Sequence, residues 1–351
     1  MSADPNLVIW TTDWHLVSND SEGAVTGAPT SPTKAQQLVA HLNSLNSAGC
    51  IDTGDNKDHY GSVGTTDEHD NYITYVKNAL TWLSVNSGFN ATHPNLPGNH
   101  DELHDYTDTV ANNDFSTTYD LKFWGAPYRW TADWAAPKIR FVAAHSYIHH
   151  YGNPDSHSVD AGGFAHMDTS EIDWIDGQLS NLPAGWTAIV CTHFPIPTEI
   201  GNNIRYTGSS WDYATTPLNN MIATHSAKVV CCFSGHRHRN WQVATLGGIP
   251  HITSGGASYG LGNSNGVYVP ITYDPSASTL TFDCRVATSP YARFSGFSPY
   301  VIQMTPPDAP AATYGGTGSF SFAGSAHMSY GGAAGVFAYG GTGSFSYSST
   351  S

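Results

Sequence analysis

The sequence predicts a layered α/β fold, because strand and helix patterns alternate along most of its 351 residues. Short apolar runs of the kind that form buried strands are followed by stretches with apolar residues at helical spacing. Past Trp241 only strand patterns remain, at 242–244, 266–273 and 279–284, and we expect these strands to form a closing sheet. Strands interleaved with helices and followed by a run of strands indicate packed sheets with helices outside them.

Local signals predict the order of the elements. Strands are predicted at 7–12, 50–52, 139–144, 188–191 and 229–233. The first predicted helix has Ser31 as its N-cap and Pro32 at its first position, and it continues until Gly49. Asp168 and Glu171 are typical of a capping pair at the start of another helix. Further helices are predicted at 68–83 and 218–227.

The charge balance excludes one broad class of function. The formal net charge is -15 and only 12% of the residues are charged, so little basic surface is available for a nucleic-acid backbone. Hydrophobic residues make up 40% of the chain, which argues against disorder over most of its length. The 18 His residues outnumber the 13 Lys and Arg residues, which directs attention to metal ligands.

The cysteines and the N-terminal residues indicate neither an exported nor a membrane protein. The chain has five cysteines and no C-x-x-C pair, so we expect buried free thiols. A short polar stretch after Met1 leads directly into an apolar strand, without the basic start and long apolar segment of a secretion signal. We therefore expect no membrane partner, and a location in the cytoplasm of the producing cell or on a particle.

A change of composition near residue 305 divides the chain. Residues 1–304 form the predicted main domain, the Pro-rich residues 305–312 a stiff linker, and residues 313–351 a tail of Gly, Ser, Ala and aromatics. The tail contains no Lys, Arg, Asp or Glu, and its motif Tyr-Gly-Gly-Thr-Gly-Ser-Phe-Ser starts at Tyr314 and again at Tyr339. Two alternatives are open: a disordered low-complexity tail, or short strands that must stack on something to be stable.

Five short motifs with metal-binding residue types each follow a predicted strand. They are Asp13-Trp14-His15, Gly54-Asp55, Gly98-Asn99-His100-Asp101, His193, and Gly235-His236-Arg237-His238. Any one of them is common by chance, but the five together in this order form a strong pattern. Because strand ends at one edge of an α/β layer converge in space, we expect these side chains to lie together.

The residue types in these motifs favour a centre with two metal ions. Asp, Asn and His supply oxygen and nitrogen donors suited to Zn, Mn, Fe or Co rather than to Cu(I) or an Fe–S cluster. In an extended segment, residues two apart project to the same side, so Asp13 and His15 are expected to reach one ion, as are His236 and His238. Seven ligand groups are too many for a single Zn. They suit two ions that share a carboxylate at the ~3.5–4 Å spacing used for displacement at phosphorus.

These motifs resemble those of the calcineurin-like metallophosphoesterase family, and the likeness covers about residues 6–304. The resemblance implies a layered α-β-β-α sandwich that acts on a small phosphate-ester substrate. It implies that Asp55 bridges two ions. The implied ligands of the first ion are Asp13, His15 and His238, and those of the second ion are Asn99, His193 and His236. The resemblance also implies that His100 protonates the leaving group or stabilises the transition state, while Asp101 orients the His100 ring.

Two positions bear on the branch of that family. Purple acid phosphatases have a similar motif set but carry Gly where His15 stands here, and a ligating Tyr where Asp58 stands. The ferric site of that branch is therefore not expected, and the resemblance favours the branch that contains many phosphodiesterases. Asp58 itself is either a partner of a ligand or a solvated loop carboxylate.

The sequence therefore predicts a metal-dependent hydrolase of phosphate esters, with phosphodiesters slightly preferred over phosphomonoesters. The rival hypothesis is a structural or attachment protein that carries the phosphoesterase domain as a passenger. Its support is the tail, whose repeats resemble low-complexity segments of phage tail proteins and would then mediate assembly or adhesion. An assay of metal-dependent hydrolysis separates the two hypotheses.

Overall fold

A computed structural model gives the fold of most of the chain. The described residues are 2–16, 32–56, 75–88, 93–98, 129–149, 164–167, 169–197, 204–207, 216–238, 241–257, 266–295, 297–304, 319–322, 326–330, 333–337 and 343–346. The chain divides into two compact units, Met1–Pro307 and Asp308–Ser351.

The first unit alternates strands and helices in its first part and continues with strands. Its described helices are α1 (Pro32–Ser44), α2 (Thr169–Ser180) and α3 (Thr216–Thr224), with a further helical stretch at 75–79. Its described strands are β1 (Asp4–Thr11), β2 (Ser47–Asp52), β3 (Val85–Gly88), β4 (Arg129–Trp134), β5 (Ile139–Ala144), β6 (Tyr147–His149), β7 (Phe164–Met167), β8 (Thr187–Cys191), β9 (Ile204–Thr207), β10 (Val229–Ser234), β11 (Trp241–Leu246), β12 (Ile249–Ser254), β13 (Val267–Asp274), β14 (Thr279–Phe282), β15 (Arg285–Val286) and β16 (Tyr300–Gln303).

Two large sheets contain most of these strands. The first sheet has the order β16-β14-β13-β1-β2, with β15 beside β13, and its strands β1 and β2 run parallel with Trp10 opposite Ile51. The second sheet has the order β11-β12-β10-β8-β5-β4-β3, in which β5, β8, β10 and β12 are parallel neighbours. A separate small sheet is formed by β6, β7 and β9. Each large sheet therefore gathers the carboxyl ends of its parallel strands at one edge.

The main core lies between the two large sheets. From the first sheet it receives Val8, Trp10, Ile51, Val269, Ile271, Leu280 and Phe282, and from the second sheet it receives Trp130, Trp134, Ile139, Phe141, Ile189, Phe233 and Ile252. The Trp10 ring of β1 stacks on the Phe233 ring of β10, with centroids 4.3 Å apart and planes 7° from parallel. Face-to-face packing of two sheets buries the alternate residues of each strand in this way.

Helices cover the outer faces of both sheets. Leu38, Val39 and Leu42 of α1 pack with Ile9 and Cys50 on the outer face of the first sheet. On the second sheet, α2 and α3 pack over Val142, Val190 and Cys232, and their contacting residues are Ile172, Ile175, Leu179, Leu218 and Ile222. The layers therefore follow the predicted order of helix, sheet, sheet and helix, and the fold prediction is confirmed.

Two boundaries near the first helix differ from the prediction. Helix α1 ends at Ser44 rather than just before Gly49, because Asn46 takes a left-handed conformation with φ of 55°. Strand β2 then begins at Ser47, three residues before the predicted start. Gly49 lies inside this strand, where a side chain would overlap the backbone of Leu83 as it crosses. The glycine is therefore needed for a close approach of two backbones rather than for a helix end.

The closing strands do not form one sheet. β11, which contains the predicted 242–244, pairs antiparallel with β12 at an edge of the second sheet. The predicted strands at 266–273 and 279–284 correspond to β13 and β14, which belong to the first sheet. Strand period alone cannot tell which sheet a strand joins, and the expectation of a single closing sheet was wrong.

Strand β4 was not predicted. It lies in an aromatic-rich stretch, and Trp130, Ala132 and Trp134 alternate into the core between the sheets. The indole of Trp130 donates to the carbonyl oxygen of Asn95, and that of Trp134 donates to the carbonyl oxygen of Pro5. The tryptophans therefore anchor neighbouring loops as well as filling the core.

The second unit consists of two pairs of short strands. β17 (Ser319–Phe322) pairs antiparallel with β20 (Gly343–Ser346), and β18 (Ala326–Tyr330) pairs antiparallel with β19 (Ala333–Phe337). In the first pair, Phe320 of one repeat copy stands opposite Phe345 of the other copy. In the part of the chain that the structure describes, no helix has the length and apolar character needed to cross a membrane.

Candidate metal centre

Loops that follow parallel strands of both sheets carry the predicted ligands. Asp13 and His15 follow β1, Asp55 follows β2, and His193 follows β8. His236 and His238 come directly after β10. Because these strands end at corresponding edges, the loops of the two sheets meet: the amide of His236, after β10, donates to the carboxylate of Asp13, after β1.

The loops bring six of the seven predicted ligands into two groups. The first group contains Asp13, His15, Asp55 and His238, and the second contains Asp55, His193 and His236. Within each group the potential ligand atoms all lie within 4.8 Å of one another. Asp55 belongs to both groups, which is the position that a bridging carboxylate requires.

Short separations between nitrogen and oxygen atoms define the first group. The Nε2 atoms of His15 and His238 lie 2.8 Å apart, and Nε2 of His238 lies 3.1 Å from Oδ1 of Asp13. Nε2 of His15 is 3.8 Å from the same oxygen and 3.6 Å from Oδ2 of Asp55. With metal–ligand bonds of about 2.1 Å, tetrahedral ligands lie about 3.4 Å apart, which is inside this range of separations. Two carboxylates and two imidazoles at these distances fit a borderline or hard cation.

In the second group, each imidazole has a defined orientation. Nδ1 of His193 donates to the carbonyl oxygen of Thr53 at 2.8 Å, which leaves Nε2 facing Oδ2 of Asp55 at 3.2 Å. A histidine ligand is commonly fixed through its second nitrogen in this manner. The His236 ring packs on Phe194, with centroids 4.2 Å apart, and edge-on to His193 at 5.4 Å.

The backbone of these loops is held in an uncommon conformation. Nine described residues other than glycine have positive φ, and five of them are predicted ligands: Asp13, His15, Asp55, His236 and His238. Their φ angles lie between 44° and 67°, in the left-handed region that non-glycine residues seldom occupy. Such conformations persist only where the surrounding contacts enforce them, and they cluster at functional sites.

This conformation corrects the geometric reason given for the D-x-H pairs. An extended segment was expected to point both side chains to one side, but Asp13, His15, His236 and His238 all lie in left-handed turns. Asp13 and His15 nevertheless lie in the same group, as expected. His236 and His238, in contrast, lie in different groups, as the family resemblance implies.

Hydrogen bonds fix the Asp13 carboxylate. Its Oδ2 accepts from the hydroxyl of Thr12 at 2.7 Å, and the backbone amide of His236 donates to Oδ1 at 2.9 Å and to Oδ2 at 3.1 Å. Thr12 is held in turn, because its carbonyl oxygen accepts from the amide of Ala257 after β12. Loops from both sheets therefore position this one side chain.

Three glycines create the space for the carboxylates. A Cβ at Gly54 would lie 2.7 Å from the nitrogen of Gly98 and 2.8 Å from Nδ1 of His193. A Cβ at Gly98 would overlap the Asp55 carboxylate, and one at Gly235 would overlap Oδ2 of Asp13. The glycines of the predicted motifs are therefore required by close packing around the ligands.

Burial and neighbouring charges shift the pKa values of the candidate ligands in different directions. Burial alone would raise the pKa of the Asp13 carboxyl, but the neighbouring imidazoles of His15 and His238 hold that pKa well below its usual range. Burial alone would lower the pKa of His193, but the carboxylates of Asp55 and Asp13 raise it to about 9. Burial and the neighbouring His193 lower the pKa of His236 to about 3. A cation between these residues would replace the proton of His193 as the partner of Asp55.

Four candidate site residues lie outside the described residues: Asp58, Asn99, His100 and Asp101. The predicted capping residues Ser31 and Asp168 lie outside them as well. The described backbone reaches Gly98, where an added Cβ would overlap the Asp55 carboxylate. The supporting roles of Thr12 and Asp52 were missed. Asp52 could have been noticed as a carboxylate that ends an otherwise apolar strand.

Comparison with known proteins bears on the fold. The sequence matches no protein-family model, and no curated protein matches it significantly. A dimetal phosphatase from Danio rerio resembles the structure with a TM-score of 0.53 and 13% sequence identity, over 86% of this chain and 100% of that chain. The chain therefore has the fold of that phosphatase, and at this identity the likeness shows the fold alone.

Two further solved structures resemble the chain more distantly. One is a conserved uncharacterised protein from Streptococcus pneumoniae, described as a predicted phosphoesterase, with a TM-score of 0.37, 10% identity, and coverage of 84% of this chain and 97% of that chain. The other is a phosphopantetheinyl hydrolase from Mycobacterium tuberculosis, with a TM-score of 0.35, 13% identity, and coverage of 71% and 89%. At these TM-scores neither supports an argument about function.

Proposed function

We propose that this protein is a metallophosphoesterase that hydrolyses phosphate esters with two metal ions. The observation that carries the proposal is the pair of Asp/His groups that share Asp55. A single structural ion would need about four ligands and no shared carboxylate. Two groups that meet at one carboxylate match the requirement of a two-metal hydrolase.

The proposed ligands follow from the two groups. The first ion would be held by Asp13, His15 and His238, the second by His193 and His236, and both by Asp55. Asn99 is proposed as a further ligand of the second ion on the family resemblance. The donor set suits Zn, Mn, Fe or Co. When bound, two such cations polarise phosphate oxygens and activate water for in-line displacement.

The protein's own contribution is to orient these ligands before substrate arrives. Thr12 and the amide of His236 hold Asp13, while the carbonyl of Thr53 holds His193 with Nε2 toward Asp55. The His238 side chain is 15% exposed, whereas those of Asp13 and His15 are buried. Substrate is therefore proposed to approach over His238 and not through the loops after β1 and β2.

His100 is proposed to donate a proton to the leaving group, with Asp101 orienting its ring. An alkoxide is a poor leaving group, for which a positioned acid contributes ~10²–10⁴-fold, whereas a nitrophenolate leaves readily without one. His100→Ala should therefore slow the hydrolysis of alkyl esters far more than that of nitrophenyl esters, with the metal content unchanged. Equal losses on both ester types, or loss of metal, would contradict the role of general acid.

The preference for phosphodiesters over phosphomonoesters is the finer part of the proposal. It is supported by His15, which lies within the first group. Purple acid phosphatases, whose motifs are otherwise similar, carry Gly at this position. The proposed substrates are small esters, because the net charge of -15 disfavours a nucleic-acid backbone.

A direct assay tests the proposal. The protein is stripped with a chelator, reloaded with Zn, Mn, Fe or Co, and offered bis(p-nitrophenyl) phosphate and p-nitrophenyl phosphate. We expect hydrolysis that depends on the metal and is somewhat faster with the diester. Asp274→Asn is a suitable control, because this exposed carboxylate organises a turn through Ser276 and Ala277, away from the two groups. A protein that holds two ions per chain and hydrolyses neither ester would overturn the proposal.

For the second unit, we propose a role in assembly or adhesion. Support comes from the pairing of its two repeat copies through β17 and β20 and from the absence of Lys, Arg, Asp and Glu in residues 313–351. If this is its main function, the hydrolase is a passenger of an attachment protein. The oligomeric state with and without residues 308–351 tests the role, and an unchanged state together with unchanged surface binding would contradict it.

A further inference from the structure

A buried carboxylate outside the two ligand groups lies at the end of β2. Asp52 is the last residue of that strand, which otherwise consists of Ser47, Ala48, Gly49, Cys50 and Ile51, and it is fully buried. An ionised side chain removed from water is costly unless hydrogen bonds satisfy its oxygens. The contacts of Asp52 therefore indicate why it is there.

Three donors contact the Asp52 carboxylate, one from the last residue of β1 and two from the loops after β1 and β2. Oδ2 accepts from the hydroxyl of Thr11 at 2.8 Å and from the indole nitrogen of Trp14 at 3.0 Å. Oδ1 accepts from the backbone amide of Gly54 at 2.8 Å. Both oxygens thus receive N–H or O–H groups, and hydrogen bonds to a charged group are the stronger kind.

These donors control the loops that carry Asp13, His15 and Asp55. Trp14 stands between the first two in sequence, and its side chain is buried. Gly54 directly precedes Asp55, whose φ is 58°, and the Gly54 amide is fixed by its bond to Asp52. One carboxylate therefore ties together the two loops that supply all three ligands from the first sheet.

The backbone of Asp52 extends this connection to a third segment. Its amide donates to the carbonyl oxygen of Pro94 at 2.9 Å, and its carbonyl oxygen accepts from the amide of Leu96 at 3.2 Å. That segment continues to Gly98, which lies against Asp55. Three segments that border the metal centre therefore meet at Asp52.

From these contacts we infer that Asp52 is a positioning residue of the metal centre, which holds the loops after β1 and β2 in the conformation that binds both ions. The inference rests on the metal centre of the proposed function. An amide cannot replace the carboxylate, because it has one acceptor oxygen and presents donor N–H groups in the place of the other. The Thr11 hydroxyl can turn and accept, but the indole of Trp14 can only donate.

The test is Asp52→Asn, which keeps the size of the side chain. Supporting residues around metal ligands typically contribute 10- to 100-fold to metal affinity, so we expect the dissociation constants for Zn and Mn to rise by about that factor. Calorimetric titration of the chelated protein measures the constants directly. In the cobalt-loaded protein the visible absorption should also change, because the ligands of the first group are less well aligned. Excess metal should restore much of the hydrolysis.

A destabilised control separates positioning from a general loss of stability. Leu179→Ala removes core packing between α2 and the second sheet, far from these loops, and should lower the melting temperature without changing metal affinity. In the double variant Asp52→Asn with Trp14→Phe, the unpaired indole is gone, so the loss should be smaller than the sum of the single losses.

Several outcomes decide the inference. Unchanged metal affinity in a folded Asp52→Asn protein overturns it, as does an equal loss of affinity in Leu179→Ala at matched melting temperature. A wild-type protein that binds both ions yet hydrolyses no phosphate ester would overturn the proposed function and leave the inference about Asp52 intact.

Discussion

The two sheets make unequal contributions to the candidate metal centre. The first sheet supplies Asp13, His15 and Asp55, which are buried and include both carboxylates of the two groups. The second sheet supplies His193, His236 and His238, which are imidazoles, and the last two are partly exposed. The charge of the centre therefore comes from the first sheet, and its accessible side from the second.

The difference also concerns how the ligands are held. The amide of Asp13 donates to the carbonyl oxygen of Gly54 at 2.6 Å, and that of His15 donates to the carbonyl oxygen of Asp55 at 2.9 Å. The two loops of the first sheet are thus bonded directly to each other through their backbones. The backbone amide of His236 joins its loop to them through the carboxylate of Asp13. We conclude that the first sheet forms a preorganised base on which the second sheet closes the site.

The largest effect should follow from Asp55→Ala, because this residue is the one shared by both groups. We expect loss of both ions and loss of hydrolysis to below detection, whereas His193→Ala should cost only the second ion. Elemental analysis after saturation and desalting measures the ions retained per chain. Equal stoichiometry in the two variants would mean that Asp55 does not bridge. No more than one ion in the wild type, with every candidate metal, would refute the two-metal model.

A smaller and reversible effect is expected from His238→Ala. This ligand lies on the accessible side, and Asp13, His15 and Asp55 remain in the first group without it. Excess Mn or Zn should therefore restore part of the activity of His238→Ala but none of that of Asp55→Ala. Rates measured over a series of metal concentrations give the comparison. If neither variant responds to excess metal, the two sheets are equally essential and the proposed contrast is wrong.

Much of the fold could be predicted from the sequence, because the spacing of apolar residues distinguishes helices from strands and the motif residues mark where strands end. β5 was predicted at its observed bounds, and the apolar face of α2 contains the expected Ile172, Ile175 and Leu179. The convergence of motifs followed from one rule, that parallel strands end at a common edge. These are features that local sequence encodes directly.

The remainder depends on contacts between distant segments. The left-handed turns at Asp13 and His236 carry no glycine signal, because tertiary hydrogen bonds enforce them. β4 was missed because its tryptophans are recognisable as a strand only once the facing sheet is known. In the sequence, Asp52 is an ordinary polar residue at the end of a strand. Its role becomes visible only from the hydrogen bonds that Trp14 and Gly54 donate to it.

Two glycine substitutions test whether the space around the ligands matters as much as the ligands. Gly235→Ala would place a methyl group against Thr12 and Asp13, and such overpacking typically costs about 1–3 kcal/mol. We expect a lower melting temperature and weaker metal binding. Gly177→Ala is the matched control, because a Cβ there, within α2, meets no atom within 4 Å and should stabilise the helix by up to about 1 kcal/mol. An unchanged melting temperature and unchanged metal binding in Gly235→Ala would show that the loops around Gly235 can make room for a methyl group, and that the space there is not required.

The smallest effect is expected from removal of the second unit. Truncation after Pro307 keeps both large sheets, including β16, and it keeps Met304, which is buried in the core and donates its amide to the carbonyl oxygen of Ser278. Neither ligand group contains a residue beyond His238. We therefore expect kcat for the nitrophenyl esters to stay within about twofold of the full-length value, since every residue of the two groups belongs to the first unit. Steady-state kinetics on the truncated and full-length proteins, each with its metal content measured, give the comparison.

The melting temperature of the truncated protein serves as the control for folding. A collapse of kcat in a folded, metal-loaded truncated protein would mean that residues 308–351 contribute to the site, and the contrast between the two sheets would then be an incomplete account of it.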